Sequence, residues 1–247
     1  MEKDMKPVIE ILKSHEDMCH RAASIFNDIA KESIEESGQF TVALAGGTTP
    51  AGLYLRLHAP PYELDLEWKK AHIFFTDERC VGPEDSASNY RMAKEALLQR
   101  VYMKPDKYVH RIKGELGADQ AADEYEKELI GVFGEGVPRF DLILLGAGSD
   151  GHTASLMPGD PGVKETKRLA IAVKNKEPQR VSLTLPVLNN ARNIIFMVTG
   201  AAKAEVLSDI LEEGNPDGLP AGLVRPTDGK LTWLLDTRAA SGITEDD

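Results

Sequence analysis

Residues Phe40–Leu57 read FTVALAGGTTPAGLYLRL and hold one complete strand, turn and helix. Phe40 to Gly46 is an apolar run without a charge, as expected of a strand buried on both faces of a parallel sheet. Gly46 and Gly47 turn the chain, Thr48 or Thr49 can cap a helix, and Pro50 fits the first helical turn, where its missing N–H is no loss. The same grammar recurs on either side. Further apolar runs lie at Ala71–Asp77, Phe140–Gly146, Arg168–Val173, Asn193–Gly200 and Leu231–Asp236, with Val8–His15 as one more candidate strand. Amphipathic stretches at His15–Glu36, Pro50–Leu57, Asn89–Val101, Gly117–Phe133 and Ala201–Glu213 read as helices. Strand then helix, repeated, predicts a doubly wound, Rossmann-like α/β fold: a mostly parallel sheet with helices on both faces. Residues 1–240 read as a single α/β domain, and 241–247 as a loose acidic tail.

Composition narrows the chemistry. The 247 residues carry 29 Lys and Arg against 40 Asp and Glu, a net charge of −11. That balance argues against nucleic acid as a partner, because phosphate backbones attract positive surfaces. It leaves room for a small anion, provided a few cations converge in a cleft. Cys19 and Cys80 are too few and too far apart for a disulfide framework or a zinc site, and no metal is expected. No apolar run approaches the roughly 20 residues of a membrane span, and the opening MEKDMK leads into no signal-peptide core. A soluble, cytoplasmic protein is the expectation.

In an open parallel sheet, ligands bind at the carboxyl ends of the strands, and the unusual clusters fall there. Gly46, Gly47, Thr48 and Thr49 offer free amides, a helix dipole and two hydroxyls to an anion. The same loop serves equally as a plain strand–helix turn. Gly146 to Gly151 (GAGSDG) matches the G-x-G-x-x-G pattern in form, yet Pro158-Gly159 stops any helix after barely two turns. Nicotinamide binding is therefore not expected. His152, two residues past Asp150, has the chemistry of a general base. Its alternative is a capping or solvated histidine. Arg79 closes the charged triplet Asp77-Glu78-Arg79 and can hold an anion or a developing oxyanion; an ion pair closing the sheet edge is the plainer reading. Ser88 reads as a helix cap, which leaves Asn89, Tyr90 and Arg91 near the site edge. Arg180 and Lys203 complete the cationic set. A lysine at a helix start opposes the dipole, and a bound anion would remove that cost.

Four stretches together, AGGTTPAGLY, FFTDER followed by SNYRMAKEALL, LILLGAGSDGHTASLMPG and VTGAAKAEVL, resemble the 6-phosphogluconolactonase family. The fold of that family is related to that of glucosamine-6-phosphate deaminase. The resemblance runs from about Phe40 to Asp236. It implies hydrolysis of 6-phospho-D-glucono-1,5-lactone in the oxidative pentose phosphate pathway, without metal or cofactor. It also implies that His152 activates water, that Gly46 to Thr49 with Arg180 and Lys203 grip the phosphate, and that Arg79 lies near the lactone end. Asp150 either orients His152 or caps its loop. Thr48 stands where the family usually has serine, and Met157 where it commonly has phenylalanine. Two alternatives are a glucosamine-6-phosphate isomerase/deaminase and a sugar-phosphate sensor. The deaminase resemblance calls for a glutamate five residues after the histidine, a position held here by Met157. A sensor usually carries a DNA-binding helical module, and the residues before Phe40 show no helix-turn-helix pattern.

Overall fold

In the computed structural model, which describes residues 6–62 and 66–243, the first half of the chain alternates as read. It runs β1 (Val8–Leu12), α1 (His15–Ser37), β2 (Phe40–Leu44), α2 (Thr48–Leu57), β3 (Ala71–Phe75), β4 (Asp77–Arg79), α3 (Asn89–Ala93), α4 (Pro105–Tyr108) and α5 (Ala118–Phe133). The second half continues with β5 (Leu142–Leu145), β6 (Ala170–Val173), β7 (Arg180–Leu183), α6 (Leu185–Asn189), β8 (Asn193–Val198), α7 (Ala204–Leu211) and β9 (Lys230–Asp236).

Six strands form one parallel sheet in the order β1-β9-β8-β5-β2-β3. Every residue of β2 and β5 is buried, so both faces of the sheet's centre are covered. An uninterrupted apolar run is the sequence form of that burial. Buried Asp141, just before β5, accepts from both the N–H and the hydroxyl of Thr41 at 2.8 Å, which fixes the register of the two central strands. Phe196 and Trp233, opposite one another on β8 and β9, stack with centroids 3.8 Å apart.

The strand order places the site. From β2 the chain moves outward to β3, then returns to lay β5 on the other side of β2 and continues away through β8. The loops leaving β2 and β5 therefore diverge, and a crevice opens between them at the carboxyl edge.

A second sheet departs from the sequence reading. Strands β4, β7 and β6 form an antiparallel sheet in the order β4-β7-β6. The run Arg168–Val173 thus does not join the parallel sheet; its Ala170–Val173 pairs with Arg180–Leu183. Short apolar runs look alike in either setting, because strand direction leaves no mark on composition. Asp77-Glu78-Arg79 is likewise a strand of its own, not a loop at the parallel sheet's edge. It still starts just past the carboxyl end of β3, beside the turns that leave β2, β5 and β8.

Local differences have local causes. The helix expected at Asn89–Val101 is an α-helical turn, Asn89–Ala93, followed by a wider π turn, Lys94–Leu98. That winding buries the consecutive residues Ala96, Leu97 and Leu98 together. No helix forms after His152, since Gly148 N–H donates to the His152 carbonyl at 2.8 Å and closes a tight turn instead. The tail expected from Ser241 begins as a turn with Ile243 packed on the core, and residues 244–247 lie outside the described residues.

Candidate active site

A cleft of about 360 Å³ opens between the β2 and β5 turns, within the size range of small-molecule sites. Gly46, Gly47, Thr48, Thr49, Arg79, His152, Arg180 and Lys203 all line it, which brings eight of the nine expected site residues to one place. The ninth, Asp150, does not line the cleft and touches His152 directly.

The β2 side is built to receive an anion. Ser14 caps α1 and Ser88 caps α3 through their hydroxyls, but the residue capping α2 is Gly47, which has no side chain to offer. Thr48 and Thr49, expected as caps, lie inside the first turn instead. The amino end of α2 therefore keeps its N–H groups and dipole for a ligand. Thr49 Oγ1 meets Thr199 Oγ1 at 3.0 Å, tying this turn to the end of β8.

The second sheet supplies two cations. In the β4–β7 ladder Arg79 lies directly opposite Arg180, an arrangement of like charges that costs stability unless something negative lies between. Arg79 Nη1 donates to the Ala87 carbonyl at 2.9 Å and to Asn89 Oδ1 at 2.6 Å. Arg180 Nη1 has a long 3.5 Å bond to Ser155 Oγ, and its Nε is buried with no partner. Lys203 stands at the amino end of α7. Among the described residues eight of the twelve arginines pair with a carboxylate, whereas Arg79, Arg180 and Lys203 do not. A buried, unsatisfied guanidinium donor is costly, and an anion in the cleft would satisfy it.

The β5 side carries a group with the chemistry to accept and return a proton. Asp150 Oδ1 lies 2.5 Å from His152 Nδ1 and also accepts the His152 backbone N–H at 3.3 Å. Burial raises the Asp150 pKa, but the hydrogen bond and charge of His152 outweigh it and hold the carboxyl below its ordinary range. A carboxylate can only accept, so in the neutral imidazole Nδ1 carries the proton and Nε2 keeps its lone pair. Gly148 has no alternative here: a Cβ on it would occupy the place of the His152 ring.

Two buried groups, one lining the cleft and one just behind it, were weakly marked in the sequence. Asp77 is 6% exposed; its carboxylate accepts from Ser155 Oγ at 2.6 Å. Ser155, three residues past His152 in the DGHTAS run, was not among the expected site residues, and only the fold brings it beneath Arg180. Among the described residues no group of three or more His, Cys, Asp or Glu is placed to hold a metal ion. None of their helices is long and apolar enough to cross a membrane.

The family model for glucosamine-6-phosphate isomerases and 6-phosphogluconolactonases matches residues 13–233. The chain belongs to that family. A 6-phosphogluconolactonase from Synechocystis is 39% identical over 97% of this chain and 99% of its own length. The structure of 6-phosphogluconolactonase from Trypanosoma brucei superposes with a TM-score of 0.88 at 31% identity, covering 97% of this chain and 99% of that one. A monomeric glucosamine-6-phosphate deaminase superposes at 0.78 with 23% identity over 96% and 100%, which shows a shared fold. Both branches of the family thus share the architecture, and side chains must separate them.

Proposed function

We propose that this chain is a 6-phosphogluconolactonase, which hydrolyses 6-phospho-D-glucono-1,5-lactone to 6-phospho-D-gluconate in the oxidative pentose phosphate pathway. The observation that carries the reading is one cleft holding a histidine with a free Nε2 and three cations that have no carboxylate partner among the described residues. Its near full-length likeness to proteins named for that activity supports the same reading.

The phosphate is gripped by Arg180, Lys203 and the amides and hydroxyls of Gly46 to Thr49. This anchoring, remote from C1, orients the ester carbon. His152 Nε2 takes a proton from water as the water oxygen bonds to C1. Arg79 steadies the tetrahedral oxyanion. The intermediate then collapses, the bond from C1 to the ring oxygen breaks, and the imidazolium returns its proton to that oxygen. Asp150 holds the ring and its tautomer throughout, as a carboxylate. A lactone is an activated ester, so this chemistry needs no serine nucleophile. Residues 1–240 act as one domain in the proposal, in the cytoplasm, where the free thiols of Cys19 and Cys80 suit a reducing compartment.

The deaminase reading requires a further acid–base group to move a proton between C1 and C2. Met157 is buried, 5% exposed, and supplies none. The deciding assay generates the lactone from glucose 6-phosphate and follows its decay with and without the protein, beside ammonia release from glucosamine 6-phosphate. Accelerated decay without ammonia is expected. Ammonia release would move the chain to the other branch, and binding without either reaction would make it a sensor.

A further inference from the structure

Glu78 is only 3% exposed and has no lysine or arginine partner among the described residues, an unusual state for a carboxylate. Four donors satisfy it instead. Its Oε1 accepts from the N–H of Arg79 at 2.8 Å and of Asn89 at 2.7 Å; its Oε2 accepts from the N–H of Tyr90 at 2.8 Å and from Ser88 Oγ at 2.9 Å. Burial raises its pKa above the usual carboxylate range, and these bonds hold the rise in check. One buried group thereby pins the start of the α3 segment to strand β4.

What that anchor fixes is Asn89, itself 2% exposed. Asn89 Nδ2 donates to the Asp77 carbonyl at 2.9 Å, with a weaker contact to Asp77 Oδ1 at 3.3 Å. With the amide oriented by these acceptors, its Oδ1 faces Arg79 Nη1 at 2.6 Å. The same side-chain amide, Oδ1 foremost, fills the space that a Cβ on Gly46 would need, so it also packs against the turn after β2. Arg79 Nη1 is fully engaged by Asn89 and Ala87, which leaves Nε and Nη2 for a ligand.

We propose that Asn89, held in place by Glu78, is a positioning residue: it fixes the Arg79 guanidinium in the cleft, and it acts on turnover through Arg79 alone. The inference rests on the lactonase reading, in which Arg79 faces the oxyanion. A long side chain without such a brace samples several rotamers, and a misplaced donor stabilises the transition state poorly. Loss of a group that orients a working residue typically costs about 10- to 100-fold.

The test is a double-mutant cycle on lactone hydrolysis. Asn89→Ala is expected to lower kcat about 10- to 100-fold with KM little changed, while in the Arg79→Ala background the same change is expected to cost less than about 3-fold. Equal losses in both backgrounds would show a general structural role and overturn the inference. Should Asn89→Ala fail to melt cooperatively, Asn89→Ser, which keeps an acceptor oxygen, carries the same cycle. Glu78→Gln turns one acceptor into a donor facing N–H groups and is expected to lower kcat in the wild-type background only. The wild type, assayed in the same series, separates the two failures. No wild-type turnover overturns the functional reading and this inference with it, whereas an active wild type with additive losses overturns only the positioning role.

Discussion

Two glycine-rich turns leave neighbouring strands at the same edge of the parallel sheet, and only one of them starts a helix. After β2, Gly46-Gly47 delivers the chain straight into α2, whose amino end lacks a side-chain cap. After β5, Gly148 and Gly151 fold the chain back on itself, and His152 and Asp150 meet across that turn. The first arrangement makes positive potential from aligned amides, which suits a permanent anion such as phosphate. The second makes a tethered imidazole with one committed nitrogen and one free nitrogen, which suits proton transfer. Similar glycine content therefore has two outcomes, decided by whether a helix or a doubled-back loop leaves the turn. In the proposed mechanism, anchoring and chemistry are divided between adjacent strands.

Variants can break that division one side at a time. His152→Ala should remove the base and lower kcat by about 10²–10⁴-fold while leaving phosphate-ester binding intact. Steady-state kinetics of lactone hydrolysis alongside calorimetric titration of 6-phosphogluconate would check both halves, and unchanged turnover would remove His152 from its role. Gly148→Ala pushes a methyl group into the His152 ring. Displacing the base should cost about 100-fold in kcat with little change in KM. On the anchoring side, Arg180→Gln removes a charge-assisted bond of roughly 1.5–3 kcal/mol. It should lower kcat/KM about 10- to 100-fold, chiefly through KM, and weaken inorganic phosphate as a competitive inhibitor. A loss confined to kcat would place Arg180 at the reacting carbon instead.

The smallest expected effect is the most specific. Asp150→Asn should lower kcat about 10-fold, since an amide can also donate and no longer holds the imidazole in one tautomer. In stability the direction is set by the depressed Asp150 carboxyl. The ionised group stabilises the fold above its unfolded pKa of about 3.9 and loses that contribution as pH falls through its lower folded value. Wild type should therefore exceed Asp150→Asn above about pH 4, with the melting curves converging in stronger acid. The margin should be under about 1 kcal/mol, because the Asp150 side chain is half exposed and water screens the pair. A margin that grows on acidification would contradict the assignment.

Much of this could be read in the chain. The apolar runs at Phe40, Ala71, Phe140, Asn193 and Leu231 all enter the parallel sheet, because burial on both faces leaves an unbroken apolar signature. The His152 turn and the glycine–threonine turn stood out because glycines and polar residues break off an apolar run at its carboxyl end. The run at Arg168 was misplaced for the same reason that the others succeeded: its apolar character does not say which sheet will bury it. Ser155 left no mark, since its partners Asp77 and Arg180 are distant in sequence.

Sequence alone determined the alternation of strand and helix, the turn chemistry and the residue types able to hold an anion or move a proton, because those depend on local propensity and spacing. The tertiary structure decided which of them meet. Strand order opened the crevice between β2 and β5, and antiparallel pairing set Arg79 opposite Arg180. Helix packing drove Asn89 between Arg79 and Gly46. Such contacts join residues tens of positions apart, and only closure of one core around all of them brings their charges within reach of a single ligand.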